Sequence, residues 1–280
     1  MRLSPIALPL ALSLALAGPT VARAAEPAAN PRGFTAKDLV MLDRVSAPQF
    51  SPDGDQILYA LRQTDWAADR GIGSLWVTDA SGGPGVRLTA VDQPAAAGAW
   101  SPDGRFVYFL SAKSGSMQVW RVSAGGGEAQ QVTDYPLDVG SFRLSPAGDA
   151  IALSFEVFAD CATLACTADR HTANADDKRT GVLHDKIFVR HWDTWKDGTR
   201  SQVFLSALGD DGKASGEPRL LTRGIDGDVP GKPFGDASDY VFSSDGKHLV
   251  FSVRIAGRSE PWSTNFDLFE VPVDGSAAPK

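Results

Sequence analysis

Two tryptophans, an arginine, a histidine and an aspartate fall within the six residues Arg190-His191-Trp192-Asp193-Thr194-Trp195. A carboxylate flanked by aromatic walls, partly withdrawn from water, is a good site for a cation, because low local dielectric strengthens the charge attraction and the ring faces add to it. Arg190, His191, Trp192, Asp193 and Trp195 are therefore the candidate binding residues. The same run also reads as packing, with the indoles against a neighbour and Arg190 paired to Asp193 or Asp197. The segment Ile187–Trp195 leads through Lys196-Asp197-Gly198, read as a hairpin turn, into Ser201-Gln202-Val203-Phe204-Leu205.

Other chemistry-bearing residues are sparse. Cys161 and Cys166 are the only two cysteines. In an exported protein, two cysteines this close are expected to form a local disulfide; the spacing is not the Cys-x-x-Cys of a redox pair. His171, Asp176, Asp177, His184 and Asp185 lie near one another in sequence, but no pair has a spacing that sets two ligands on one element. Asp169–Arg179 is read instead as a solvated polar loop, with no metal and no cofactor expected. A serine nucleophile on a strand-to-helix elbow needs Gly-x-Ser-x-Gly, and the chain has none; Gly257-Arg258-Ser259-Glu260-Pro261 fails at its last position. No catalytic residue is assigned.

The elements that must position these residues come from a repeat. Phe50-Ser51-Pro52-Asp53-Gly54 returns as Trp100-Ser101-Pro102-Asp103-Gly104, as the degenerate Leu144-Ser145-Pro146-Ala147-Gly148, and as Phe242-Ser243-Ser244-Asp245-Gly246. The starts at 50, 100, 144 and 242 are separated by 50, 44 and 98 residues. Proline sets φ for the first corner, aspartate bonds the backbone ahead of it, and glycine accepts φ > 0. Alternating apolar residues then begin an antiparallel return strand. A second phrase, Leu75-Trp76-Val77-Thr78-Asp79 with Leu88-Thr89, recurs as Val119-Trp120-Arg121-Val122 with Val132-Thr133, and as Val203-Phe204-Leu205 with Leu221-Thr222. Each unit thus holds four strands. A period of about 40–50 residues, all strands and turns, predicts an all-β fold: a β-propeller of four-stranded antiparallel blades.

About four blades are expected, at 47–90, 98–134, 138–222 with an insertion at 159–200, and 239–280. The last is incomplete, so the blades form an open arc. Before them, residues 1–24 read as a secretory signal: Arg2, an apolar run Ile6–Ala17, then Ala22-Arg23-Ala24. The run is too short to span a bilayer as an ordinary helix, although an uncleaved anchor is the alternative. Residues 25–46 are a Pro/Ala linker and a short helix, Thr35–Arg44, with Leu39, Val40 and Leu42 as its apolar face against the ring. Removing Arg2 and Arg23 takes the net charge from −7 to −9. An acidic mature chain argues against nucleic-acid partners and anionic membrane surfaces, and the location expected is periplasmic or secreted.

The Ser-Pro-Asp-Gly units followed by Leu-Trp-Val-Thr-Asp and Leu-Thr resemble the propeller repeats of Tol-system proteins and of the prolyl oligopeptidase family. Two stretches tip the resemblance to the peptidases. Phe34–Leu39 through Val45–Pro52 is similar to the start of acylaminoacyl-peptidase-like members, and Val189–Trp195 is similar to a segment of secreted dipeptidyl-peptidase V-like members. The resemblance implies a propeller that covers a C-terminal α/β-hydrolase domain, admits short unfolded peptides and excludes folded proteins. It also implies a free α-amine to be recognised, for which Asp193 is the carboxylate best placed. The hydrolase domain is missing from these 280 residues, so the chain alone is expected to be inactive. The rival reading is a non-enzymatic periplasmic propeller that binds a protein partner.

Overall fold

A computed structural model describes residues 32–161, 163–184, 189–191 and 194–280. The signal sequence read at 1–24 lies outside them. The chain divides into Met1–Leu39 and Val40–Lys280.

In the first unit the described residues open a helix. Asp38 Oδ2 accepts from the Thr35 amide (2.8 Å) and hydroxyl (2.7 Å), while the Asp38 amide donates back to Thr35 Oγ1 (3.2 Å). This reciprocal capping box starts α1, Ala36–Met41. The Arg32 guanidinium grips the same carboxylate (2.6 Å twice) and, with Thr35, holds Asp38 well below the usual carboxylate range. The helix is shorter than the Thr35–Arg44 expected. Its apolar face is not a core face, since Leu39, Val40 and Leu42 are all exposed and Arg44 already belongs to a strand.

The second unit is four consecutive antiparallel sheets. The first joins β1 (Arg44–Phe50), β2 (Gln56–Asp65), β3 (Arg70–Asp79) and β4 (Val86–Arg87) in sequence order. The second joins β5 (Ala96–Trp100), β6 (Phe106–Ser111), β7 (Gln118–Ser123) and β8 (Gln130–Gln131). In the third, β9 (Ser141–Leu144) and β10 (Ala150–Phe158) precede an insertion that carries α2 (Leu164–Asp176), β11 (Arg190–His191) and β12 (Thr194–Trp195). The sheet is completed by β13 (Thr199–Leu208) and β14 (Ala214–Leu220). The fourth has β15 (Tyr240–Phe242), β16 (His248–Val253) and β17 (Asp267–Pro272).

The repeated phrase works as its residue types dictate. Ser51 Oγ donates to Asp53 Oδ1 (2.6 Å) and accepts from the Gln56 amide (2.9 Å), while Gly54 turns at φ +83°. The 101–106 and 243–248 turns repeat these bonds, and in the second turn the Ser101 hydroxyl, helped by Arg105, holds Asp103 at about 2. In the degenerate copy Asp149 replaces the missing carboxylate, accepting from Ser145 Oγ at 2.7 Å. The turns also stack: a β-carbon on Gly104 would touch Pro52 at 3.5 Å, and one on Gly148 would touch Pro102 at 3.5 Å.

The second phrase fastens the outer strand. Thr89, Thr133 and Thr222 each accept, through Oγ1, the amide of Leu75 (3.1 Å), Val119 (2.9 Å) and Val203 (3.1 Å). In the fourth sheet Lys280 exchanges two 3.0 Å backbone bonds with Glu270, as Val86 pairs with Val77 in the first. Three apolar layers lie between successive sheets, centred on Leu75 and Phe109, on Val119 and Phe155, and on Val203 and Phe251. Phe251 is therefore core, whereas Phe50 and Leu268 on the first and last sheets are 67% and 76% exposed. The sheets do not close on one another.

Candidate functional site

The insertion between β10 and β13 holds the candidate residues. Its entry is pinned by a disulfide between Cys161 and Cys166, whose Cα atoms lie 5.5 Å apart. Thr163 caps α2 by accepting from the Cys166 amide (3.2 Å), and Glu217 accepts the Leu164 amide (3.1 Å). Leu164 and Thr167 are fully buried, and Thr167 Oγ1 accepts the Phe158 amide at 3.3 Å. Arg170 spans Asp160 with two bonds (2.7 and 2.9 Å) and lies over the Phe158 ring at 4.5 Å. Asp169–Asp176 is thus helix, not the polar loop expected. Only one turn of α2 is buried, so its apolar period is too short to read in sequence. The His171 ring lies against Phe158 at 5.1 Å, and His184 stacks on Trp195 at 5.8 Å.

Farther along, β11 and β12 form a small hairpin with Arg190 opposite Trp195 and His191 opposite Thr194. The Lys196 amide closes its open end on the Val189 carbonyl at 3.0 Å. The Arg190 guanidinium lies 5.5 Å from the centre of the Trp195 ring, which is 62% exposed. Arg190 and Trp195 are therefore brought together, and the backbone sets His191 opposite Thr194. Trp192 and Asp193 fall outside the described residues.

Two readings of this stretch need correction. Lys196-Asp197-Gly198 is not the turn of a hairpin with Ser201–Leu205, because those residues pair with β10 and β14 instead. Nine-residue β10 and ten-residue β13 run in unbroken register from Ala150↔Ala207 to Phe158↔Thr199, and β14 takes the other side of β13, which leaves β13 no free edge. Asp197 does not pair with Arg190. It accepts from the Thr199 amide (2.9 Å) and hydroxyl (2.6 Å), and these bonds keep its carboxyl below the usual range against the burial that would raise it.

Directly after the hairpin the chain enters an ion cluster not found from sequence. Lys196, next after β12, reaches Glu260 at 3.1 Å. Arg200, at the start of β13, bonds both oxygens of Glu260 (2.9 and 3.0 Å), Asp228 (2.9 Å) and Asp226 (3.2 Å). Arg254 stands 3.8 Å from Glu260. The Glu260 side chain is 10% exposed and that of Asp228 4%. Burial would raise the Glu260 carboxyl, but Arg200 and Lys196 outweigh it and hold the group at about 2. This residue entered the sequence reading only as part of a failed elbow. Ser259 beside it donates its hydroxyl to the Ala256 carbonyl at 2.7 Å, with no base at hand. The cluster joins the third sheet to the fourth at the foot of the hairpin, so an exposed aromatic edge stands on a rigid base.

A four-stranded repeat stacked through apolar layers defines a β-propeller segment. In agreement, the TolB beta propeller domain family matches residues 40–165. The uncharacterized peptidase YuxL of Bacillus subtilis is 28% identical over 223 residues, covering 79% of this chain and 31% of that protein. Dipeptidyl-peptidase 5 of Porphyromonas endodontalis is 24% identical over 238 residues, covering 84% of this chain and 33% of that protein. The Pyrococcus horikoshii acylaminoacyl peptidase shares the fold over 87% of this chain and 33% of its own, with TM-score 0.55 and 10% identity. The chain thus spans about a third of the length of the relatives it matches. In sequence the chain is thus similar to one portion of these peptidases, and in fold to one portion of the acylaminoacyl peptidase.

Proposed function

We propose that this chain is the propeller portion of an exported serine peptidase of the dipeptidyl- or acylaminoacyl-peptidase type. It gates and positions short peptides for an α/β-hydrolase domain that these 280 residues do not contain. The observation that carries the reading is the aromatic hairpin, seated on the ion cluster, in a chain similar to the propeller third of such peptidases. In this reading Asp193, flanked by Trp192 and Trp195 in sequence, receives the substrate ammonium, and Arg190 and His191 shape the same edge. A short signal at residues 1–24 would deliver the protein to the periplasm or the medium.

The test uses the full-length polypeptide that carries this segment. Asp193→Asn keeps size and most hydrogen bonding but removes the charge. For substrates with a free N-terminus, kcat/KM is expected to fall by about 1.5–3 kcal/mol, the range for a charged hydrogen bond. N-acylated analogues, which lack the ammonium, should be affected far less. Equal losses on both substrates, or none on either, overturn the assignment of Asp193. A second reading, a protein-binding propeller without peptidase activity, is favoured by the TolB family match over residues 40–165. Under that reading the polypeptide hydrolyses neither substrate.

A further inference from the structure

Among the described residues β11 and β12 pair only with each other, so strand pairing does not fix where the hairpin stands. Lys196, the residue that follows β12, has two separate attachments. Its amide donates to the Val189 carbonyl (3.0 Å) and closes the hairpin. Its ammonium donates to Glu260 Oε1 (3.1 Å) and lies 3.8 Å from Asp228 Oδ2. Other groups already hold both carboxylates. Glu260, in the β16–β17 connection, takes bonds of 2.9 and 3.0 Å from Arg200. Asp228, in the β14–β15 connection, takes the Arg200 guanidinium and the Ser201 amide, each at 2.9 Å. The side chains of Lys196, Glu260 and Asp228 are 20%, 10% and 4% exposed. An ion pair in open water contributes little, because two long side chains must be ordered to make it. Here the socket is preformed and largely withdrawn from water, so only one flexible chain is ordered, in a place where charge attraction is stronger.

We infer that Lys196 is the positioning residue of the recognition hairpin, and that Glu260 is the anchor through which it acts. The ammonium fixes the open end of the hairpin to the junction of the third and fourth sheets. It does so from the residue next to Trp195, in the same short segment as Asp193. Lys196 itself does not touch substrate; it sets where the aromatic edge and its carboxylate stand. Misplacing a binding group by about 1 Å can cost on the order of a hundredfold in rate. The effect on substrate rests on the peptidase reading, whereas the anchoring rests only on contacts made within residues 189–260.

The test compares Lys196→Met, Lys196→Arg, Glu260→Gln and the Lys196→Met/Glu260→Gln double variant in the full-length polypeptide. Methionine keeps an unbranched stem and the backbone amide but loses the charge; arginine keeps a charge that reaches the same carboxylates. In Lys196→Met, hydrogen exchange at residue 196 should quicken by about tenfold or more, while β10 and β13 keep their protection. KM for substrates with a free N-terminus should rise by about tenfold with kcat within about threefold, and Lys196→Arg should stay near wild type on both readouts. Adding Lys196→Met to Glu260→Gln should change exchange and KM by less than about threefold, because the anchor is already lost. Unchanged exchange, failure of arginine to rescue, or full additivity with Glu260→Gln would each overturn the inference. So would an unaltered KM in a polypeptide that does respond to Asp193→Asn, or a fall in KM, which direct repulsion between the ammonium and the substrate amine would give. If Asp193→Asn affects free and acylated substrates alike, or neither, the reading of Asp193 fails instead, and exchange in the single and double variants decides the anchoring by itself.

Discussion

Replacing Glu260 by glutamine removes one charge from the cluster that ties the third sheet to the fourth. The carboxylate takes two bonds from Arg200 (2.9 and 3.0 Å) and one from Lys196 (3.1 Å), with Arg254 at 3.8 Å. Glutamine keeps one acceptor, but it turns an N–H group toward a guanidinium or ammonium that has nothing to accept it. Hydrogen bonds to charged groups contribute about 1.5–3 kcal/mol, and removing one partner of a fully buried pair costs about 3–5. Arg200 retains Asp228 and Asp226, so the loss should lie near the lower range, about 2–3 kcal/mol. The pKa leads to the same size. Holding the group from 4.5 down to about 2 corresponds to roughly 3 kcal/mol at about 1.36 kcal/mol for each pH unit. Because the folded-state pKa is depressed, this stabilisation is fully present above about pH 5 and is lost as pH falls from there toward 2. Urea unfolding of wild type and Glu260→Gln at pH 7, 5 and 3 reads the difference directly. The gap should be constant between pH 7 and 5 and should shrink by more than half at pH 3. Equal stabilities at pH 7, or a gap that widens in acid, would refute the reasoning.

Thr133→Val should cost about 1–3 kcal/mol, because it strips the acceptor from the buried Val119 amide and the donor from Gln118 Oε1 (2.7 Å); calorimetry checks it, and a neutral result would deny the fastening role of the Leu-Thr phrase. Replacing both Cys161 and Cys166 by serine should cost about 2 kcal/mol, from the short loop that the bridge closes. Hydrogen exchange should place that loss in α2 while β10 keeps its protection, and uniform loosening of the third sheet would contradict it.

What could be read in the chain beforehand follows the range of the interactions. The Ser-Pro-x-Gly turns were legible because their bonds run between Ser51, Asp53 and Gln56, within a few residues. Each Leu-Thr phrase reaches only across one sheet, so strand number and sheet order were legible too. The ion cluster was not, because Arg200 and Glu260 are 60 residues apart and meet only when two sheets stack. The helix α2 escaped notice because its stability rests on Thr163, Leu164, Thr167 and a disulfide rather than on a long apolar stripe. At the candidate site, composition drew attention to 190–195, but the strand partners did not follow from it. Lys196-Asp197-Gly198 has turn residues, yet the long β10–β13 ladder fixes where Ser201–Leu205 must pair.

The central claim, that this propeller segment serves a serine peptidase, is tested most directly on the native polypeptide. Antibody raised to residues 40–280 recovers it from its own cells after treatment with a tagged fluorophosphonate, and intact mass is measured. The account predicts one labelled polypeptide about three times the length of this chain, since the chain covers 31% and 33% of the relatives it matches. An unlabelled polypeptide of 29.7 kDa, or of that mass less a cleaved signal, would contradict it.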